Sequence, residues 1–345
     1  MPPIVRMRYF ASLIFLVILC QNVPSLRESS HAATECEPLI LYTNHENSWS
    51  WDTERDFEML IRGQNRYTRY LRNYGLWANL YGYEGRLRPK SLIFDKLKNT
   101  DTGMQFGIDL PSGGMFTTGL YYSYSSPTLS VMSSPFPFLT NAELDSTHHL
   151  FGLCWTSYGD GLFMRFGLNG GFDNHDFHTP NNGTFTGSGW QLGGNSEFGL
   201  DIELEKWRLR PHLTFDYRWL RQSEMDNWQG VLFRSAACNA LYSNLGVRAF
   251  RPLGPILNWQ TRLSWLHNYL GSDDPIRVQR FGSVSGMTTP TQLYLDGNLG
   301  RDWLWFGTGL KLHFGSFFSF FVDYDLTFNK YETTHCGSVM LLLSW

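Results

Sequence analysis

From Leu76 to Trp345 apolar and polar side chains alternate with a period of two, almost without interruption. That is the period of a β-strand, whose successive side chains point to opposite faces. Phe320, Val322, Tyr324, Leu326 and Phe328 oppose Ser319, Phe321, Asp323, Asp325 and Thr327, and Leu213, Phe215, Tyr217 and Trp219 oppose His212, Thr214, Asp216 and Arg218. Each such strand has one greasy face. The last one carries Val339, Leu341, Leu343 and Trp345 on one side and stops on the aromatic residue with no polar tail. Termini of soluble domains usually fray into water. In a membrane barrel the final strand instead pairs with the first, and its aromatic end sits in the interfacial girdle.

Twelve strands are expected, at about 76–83, 103–110, 114–124, 147–158, 161–172, 189–204, 207–221, 238–251, 256–269, 301–314, 317–329 and 337–345. Tight turns of Pro, Gly and polar residues alternate with longer links at 84–102, 125–146, 173–188, 222–237 and 270–300 and a shorter one at 330–336. An even count with alternating short and long connections describes a closed meander with two unlike rims. A Greek-key sandwich would scramble that alternation. The segment Thr291–Leu295 also alternates, and it is assigned to an upward extension of the tenth strand.

Composition agrees. Aromatic residues make up 16%, charged residues only 17%, and there are 33 glycines, yet mean hydropathy is −0.27. Apolar outward and polar inward faces average to such a value in a barrel, whereas a helical membrane protein would be far more hydrophobic. A net charge of −3 and no cluster of lysine and arginine give no electrostatic case for nucleic acid.

At the N-terminus Arg6 and Arg8 precede an apolar run from Phe10 to Leu19 and then small residues, the pattern of an export signal over 1–32. Leu19 stands where lipid attachment at Cys20 would want a small residue. A short polar leader follows at 33–50. Over 51–75, Phe57, Leu60, Ile61, Tyr67, Leu71 and Tyr74 recur at spacings of three and four, predicting an amphipathic helix. Acidic residues crowd its first half, and Arg62, Arg66, Arg69 and Arg72 its second, which complements the helix dipole. The barrel occupies 76–345. Of the cysteines beyond the signal, none has metal-ligand spacing, and Cys238 and Cys336 fall near strand tops where a bridge is possible.

If the apolar faces meet lipid, the other faces line a lumen and hold Asp109, Glu197, Asp201, Glu203, Asp216, Asp323, Asp325, Arg165, Arg218, Arg248, Arg262 and Lys311. Such charges would be costly in a dry core. In a watery or helix-filled lumen they are tolerable. The expectation is an all-β fold, a twelve-stranded antiparallel transmembrane β-barrel, with the helix plugging the lumen. Its four arginines would pair with wall carboxylates among Asp109, Asp201, Asp216, Asp323 and Asp325.

Signal, helix and strands together resemble the autotransporter β-domain, the translocator unit of type V secretion. The residues that carry the resemblance are Leu76-Trp77-Ala78-Asn79, Thr102 through Asp109, Gly187-Ser188-Gly189-Trp190 through Glu197-Phe198-Gly199, Trp207-Arg208-Leu209-Arg210-Pro211, Asn244 through Arg248 and the terminal strand. The resemblance implies a barrel in the outer membrane of a Gram-negative-type bacterium, reached with periplasmic chaperones. The barrel-assembly machinery inserts it by reading Val339, Leu341, Leu343 and Trp345. It further implies a monomer that requires no cofactor, is not an enzyme, and exports an N-terminal passenger to the cell surface. Three features depart from the pattern. The terminal residue is Trp345 rather than Phe, only about 20 to 25 residues separate signal and helix, and the helix offers Gln64-Asn65 instead of the paired asparagines at which many members cut themselves. Little or no passenger and no self-cleavage are expected. The alternative is a porin-like or structural barrel without secretion activity.

One dense cluster of other chemistry stands out, Asp173-Asn174-His175-Asp176-Phe177-His178, assigned to an external loop. Its residue types suit a metal, or a water-activating Asp/His pair like that of omptin-type barrel proteases, but a solvated loop explains it without either. His148 and His149 fall on opposite faces of one strand and cannot act together.

Overall fold

The computed structural model describes residues 75–344 apart from short connecting segments; the expected signal, leader and helix, and Trp345, lie outside the described residues. Alternation produces a run of strands: β1 (Gly75–Leu87), β2 (Lys96–Pro111), β3 (Phe116–Ser125), β4 (Thr128–Ser133), β5 (Glu143–Gly159), β6 (Leu162–Thr179), β7 (Gly183–Leu200), β8 (Ile202–Leu204) and β9 (Trp207–Gln222). After two short pieces, β10 (Met225–Asp226) and β11 (Val231–Phe233), come β12 (Ala236–Pro252), β13 (Leu257–Asn268), β14 (Ile276–Val284), β15 (Met287–Leu295), β16 (Asp302–Phe314), β17 (Phe318–Phe328) and β18 (Glu332–Ser344). β3 and β4 form one interrupted stave, and β8 completes β7. With β10, β11, β14 and β15 standing apart, the wall has twelve antiparallel staves. It closes where β1 pairs with β18, from Gly75 opposite Ser344 to Leu87 opposite Glu332. Closure leaves no free edge, which is what lets strands cross lipid.

The exposed face carries the large apolar side chains, among them Leu80, Phe106, Phe151, Leu168, Leu192, Leu263, Leu304, Val322 and Leu341. On β6 this belt runs from Leu162 to Phe172, about the length of strand that crosses a bilayer at barrel tilt. The opposite faces are buried and polar, with Asn79, Gln105, Asp109, Arg165, Glu197, Asp216, Arg248, Arg262 and Asp323 among them. Charges point to the axis and greasy residues to lipid, as the alternation predicts.

Beside the closing seam, inward aromatic rings lie flat over glycines of the next stave. Trp77 covers Gly107, Tyr81 covers Gly103 and Tyr121 covers Gly152. A Cβ at any of these glycines would stand 2.0–2.2 Å from the ring. Leu150, Cys154, Phe321, Met340 and Leu342 join Trp77 and Tyr121 in the one apolar cluster described inside the wall.

Three expectations are corrected. The segment 173–188 is wall, not loop: β6 and β7 pair without a break from Leu162 opposite Leu200 to Thr179 opposite Gly183. The wall there rises several residues above the apolar belt. Thr291–Leu295 does not extend the tenth stave but belongs to β15, which pairs with β14 as a separate hairpin; β11 pairs with β14 and β10 with Thr186 of β7. Finally, Cys336 carries a reduced thiol facing inward. Cys238 on β12 stands four staves away through β13, β16 and β17, about 19 Å at normal strand spacing, so the two are not bridged.

Candidate functional site

The lumen gathers the chemistry, in three groups. The first lies toward the rim of tight turns. Arg210, Arg248 and Arg262 stand directly opposite one another on β9, β12 and β13. Three cations in a row repel, and carboxylates hold the row together. Arg248 Nη1 donates to Glu197 at 2.7 Å, Arg210 Nε to Asp201 at 2.6 Å, and Arg262 to Asp325 at 2.7 Å through Nε and to Asp323 at 3.2 Å through Nη2. Arg165 lies opposite Glu197 in the register. Aromatic rings cover the guanidinium faces: Phe163 lies 4.7 Å below Arg210, and Trp305 4.6 Å below Arg262 while donating its indole N–H to Asp325 at 2.9 Å. Lys311 sits 4.4 Å over Phe321. The result is a charge belt from β6 to β17 whose members hold each other's geometry.

The second group lies across the barrel on β1, β2 and β18 and is built mainly from uncharged polar side chains. Asn79 donates to Gln105 at 3.3 Å, and Tyr83 meets Thr334 at 3.2 Å. Higher up, Glu332 accepts from Trp303 and from Thr334, both at 2.9 Å.

The third group is built on the raised wall. His148 of β5 faces inward beside its register partner Asp173 and bonds to it through Nδ1. Gln191 donates to the same carboxylate at 2.9 Å. Ser146 and His175 Nδ1 are 2.8 Å apart, and the two imidazoles lie 5.8 Å from each other. The carboxylate serves one histidine and the hydroxyl the other, so they make two pairs rather than a single nucleophile relay. Among the described residues no group of three His, Cys, Asp or Glu is arranged to hold a metal ion. Asp176 and His178 face outward, away from Asp173 and His175.

The structure therefore brings together most of the predicted lumenal charges. Asp109, Asp216, Asp323 and Asp325 are buried on inward faces, and the side chain of Asp201 is 6% exposed. Glu203 is an exception, 68% exposed at the rim in β8, where it accepts from Arg208 at 2.9 Å. Val339, Leu341 and Leu343 face outward. Arg62, Arg66, Arg69 and Arg72 lie outside the described residues. Sequence reasoning missed His148 as the partner of Asp173, since only the register sets one opposite the other.

The family model of the autotransporter β-domain matches residues 76–325. No curated protein matches the chain by sequence. Among solved structures, the chain resembles the translocator domain of the autotransporter NalP from Neisseria meningitidis (13% identity, TM-score 0.61, covering 85% of this chain and 97% of that one). It also resembles the transport unit of the autotransporter AIDA-I from Escherichia coli (14%, 0.62, 84% and 97%) and the β-domain of the Bordetella autotransporter Brka (17%, 0.58, 79% and 99%).

Proposed function

Because the chain belongs to the autotransporter β-domain family, we propose that this outer-membrane barrel threads its own N-terminal segment through the lumen to the cell surface. The observation that carries the reading is the closed wall with a largely polar and charged lining, which offers a polar path through lipid for a polar chain. The leader at 33–50 is the cargo, and the helix at 51–75 remains inside as a plug. Arg62, Arg66, Arg69 and Arg72 then approach the wall carboxylates. Asp201, Asp323 and Asp325 already hold wall arginines, so helix arginines would share them. Asp109 and Asp216 stand buried on the same inward faces and complete the set of carboxylates that the helix arginines would approach.

Insertion is assigned to the barrel-assembly machinery, with Val339, Leu341, Leu343 and Trp345 as its recognition face and periplasmic chaperones delivering the chain as a monomer. The barrel transports, and no catalytic role is assigned to it.

A small soluble domain inserted after residue 40 should reach the surface of intact cells and become sensitive to added protease. Retention of that domain in the periplasm, with the barrel correctly inserted, would overturn the reading. Replacing the four helix arginines by glutamine should raise single-channel conductance in planar bilayers. Unchanged conductance would remove the plug from the proposal without touching the threading.

A further inference from the structure

We infer that the outward face of β1 and β2 at the loop rim is a binding site for the phosphate headgroup of an outer-leaflet lipid. Followed upward on β1, the lipid-facing residues are Leu76, Ala78, Leu80, Gly82, Glu84, Arg86 and then Arg88. On β2 the matching residues run from Phe106 and Met104 through Thr102 and Thr100 to Lys98 and Lys96. The apolar belt thus gives way within about two residues to a group of cations, on the same face of both staves.

The cations are placed where they repel. Arg86 and Lys98 are directly opposite each other in the register, and like charges in that position are unfavourable. Glu84 alone lies beside both, 3.7 Å from Arg86 Nη2 and 3.7 Å from Lys98 Nζ. One carboxylate shared by two cations leaves a charge over. Arg88 and Lys96, both exposed, continue the same two rows. The Arg88 amide donates to the Tyr331 carbonyl at 2.6 Å, which brings exposed Lys330 alongside. Asp95 is the other acid described on these two staves, and it accepts from Ser133 at 3.1 Å; one stave further, Glu143 shares the register row of Lys98 through Ser130 and accepts from that hydroxyl at 3.4 Å. Among the described residues the five cations outnumber the carboxylates around them, which suits an anion carrying more than one charge, for which arginine and lysine are the usual ligands.

A second observation points to a lipid rather than a free ion. Gly82 and Gly337 are register partners on β1 and β18, both on the outward face, and a side chain built on either would meet nothing within 4 Å. They leave a shallow notch between the apolar belt and the cations, bordered by the exposed Thr102 opposite Gly82 on β2. Acyl chains would lie along Leu80, Met104, Phe106 and Leu341, the lipid backbone would fill the notch, and phosphate would reach the cations above. The loop rim faces the outer leaflet in a barrel whose tight turns are periplasmic. The inference depends on that orientation and not on any export of the N-terminal segment, so it stands or falls separately from the proposed function.

The test uses the full chain folded in detergent, with native mass spectrometry to follow retained lipid A bearing two phosphates, the same lipid dephosphorylated, and inorganic phosphate as competitor. Wild type should retain the phosphorylated lipid in preference to the other. The Arg86→Gln/Lys98→Gln pair should bind it roughly tenfold to thirtyfold more weakly, as loss of two membrane-surface cations predicts, and 0.5 M salt should erase most of the preference. Gly82→Leu, which keeps every charge, should also reduce retention by filling the notch. Arg251→Gln, on the other rim, should change nothing. Urea unfolding of each variant checks that the barrel is intact. Equal retention of both lipids, or wild-type retention by the double variant, would overturn the site. Displacement of the lipid by millimolar inorganic phosphate would overturn the assignment to a lipid in favour of a free-anion site.

Discussion

Arg262 offers the sharpest test of the lumenal charge belt. The residue is 5% exposed, and its guanidinium bonds to Asp325 at 2.7 Å and Asp323 at 3.2 Å and rests 4.6 Å over Trp305. Arg262→Met keeps most of the stem volume and removes the charge. Asp323 and Asp325 would then lose the cation they share, two residues apart on one side of β17 and about 7 Å from each other. At an effective dielectric constant of about 20 their repulsion is about 2 kcal/mol, and the lost pairing adds to it. Breaking one partner out of a buried ion pair typically costs about 3–5 kcal/mol, or a loss of about 10²-fold to several thousandfold in the folding constant. The triple variant Arg262→Met/Asp323→Asn/Asp325→Asn removes the whole charge set and should recover most of that loss. Urea titration of the barrel in phospholipid vesicles, read by tryptophan fluorescence, gives both numbers. A loss below about 1 kcal/mol for the single variant, as for a solvent-screened surface pair, would refute a dry, mutually supporting belt. So would a triple variant no more stable than the single one.

Three further outcomes follow. Gly107→Ala puts a methyl 2.2 Å from the Trp77 ring and should cost about 1–3 kcal/mol by overpacking; pairing it with Trp77→Leu should restore part of the loss in the same titration. Trp303→Phe removes the indole N–H that Glu332 accepts at 2.9 Å and should cost about 1–3 kcal/mol for a buried acceptor left short of a donor. Leu168→Arg, placing a charge at a 58% exposed site midway along the belt on β6, should cost about 2–4 kcal/mol for folding into vesicles. A near-zero effect would mean that face does not meet hydrocarbon.

The staves were legible because lipid and lumen impose opposite polarities on alternate residues, so the period of two is strong wherever a strand crosses the belt. Above the belt both faces are wet. Asn174, Asp176 and His178 face out while Asp173 and His175 face in, and without contrast between faces the segment reads as loop. Pairings across strands were not legible either. His148 meets Asp173, and Trp77 finds Gly107, only because the register puts them opposite, and long links leave that register open to the sequence. The alternation of Thr291–Leu295 identified a strand but not its neighbour, β14. Lumenal charges were recognisable as such from their parity. Their division into an arginine row pinned by Glu197, Asp201, Asp323 and Asp325 depends on distances between staves.

Threading is tested most directly by surface labelling of intact cells that carry an epitope tag at Glu46, with a second strain tagged beside Pro180 on the raised wall as a control for insertion. Labelling of both tags is the predicted result, since the N-terminal segment would have passed through the barrel to the outside. Labelling at Pro180 with none at Glu46 until the outer membrane is permeabilised would contradict it, leaving an inserted barrel whose N-terminal segment stays in the periplasm.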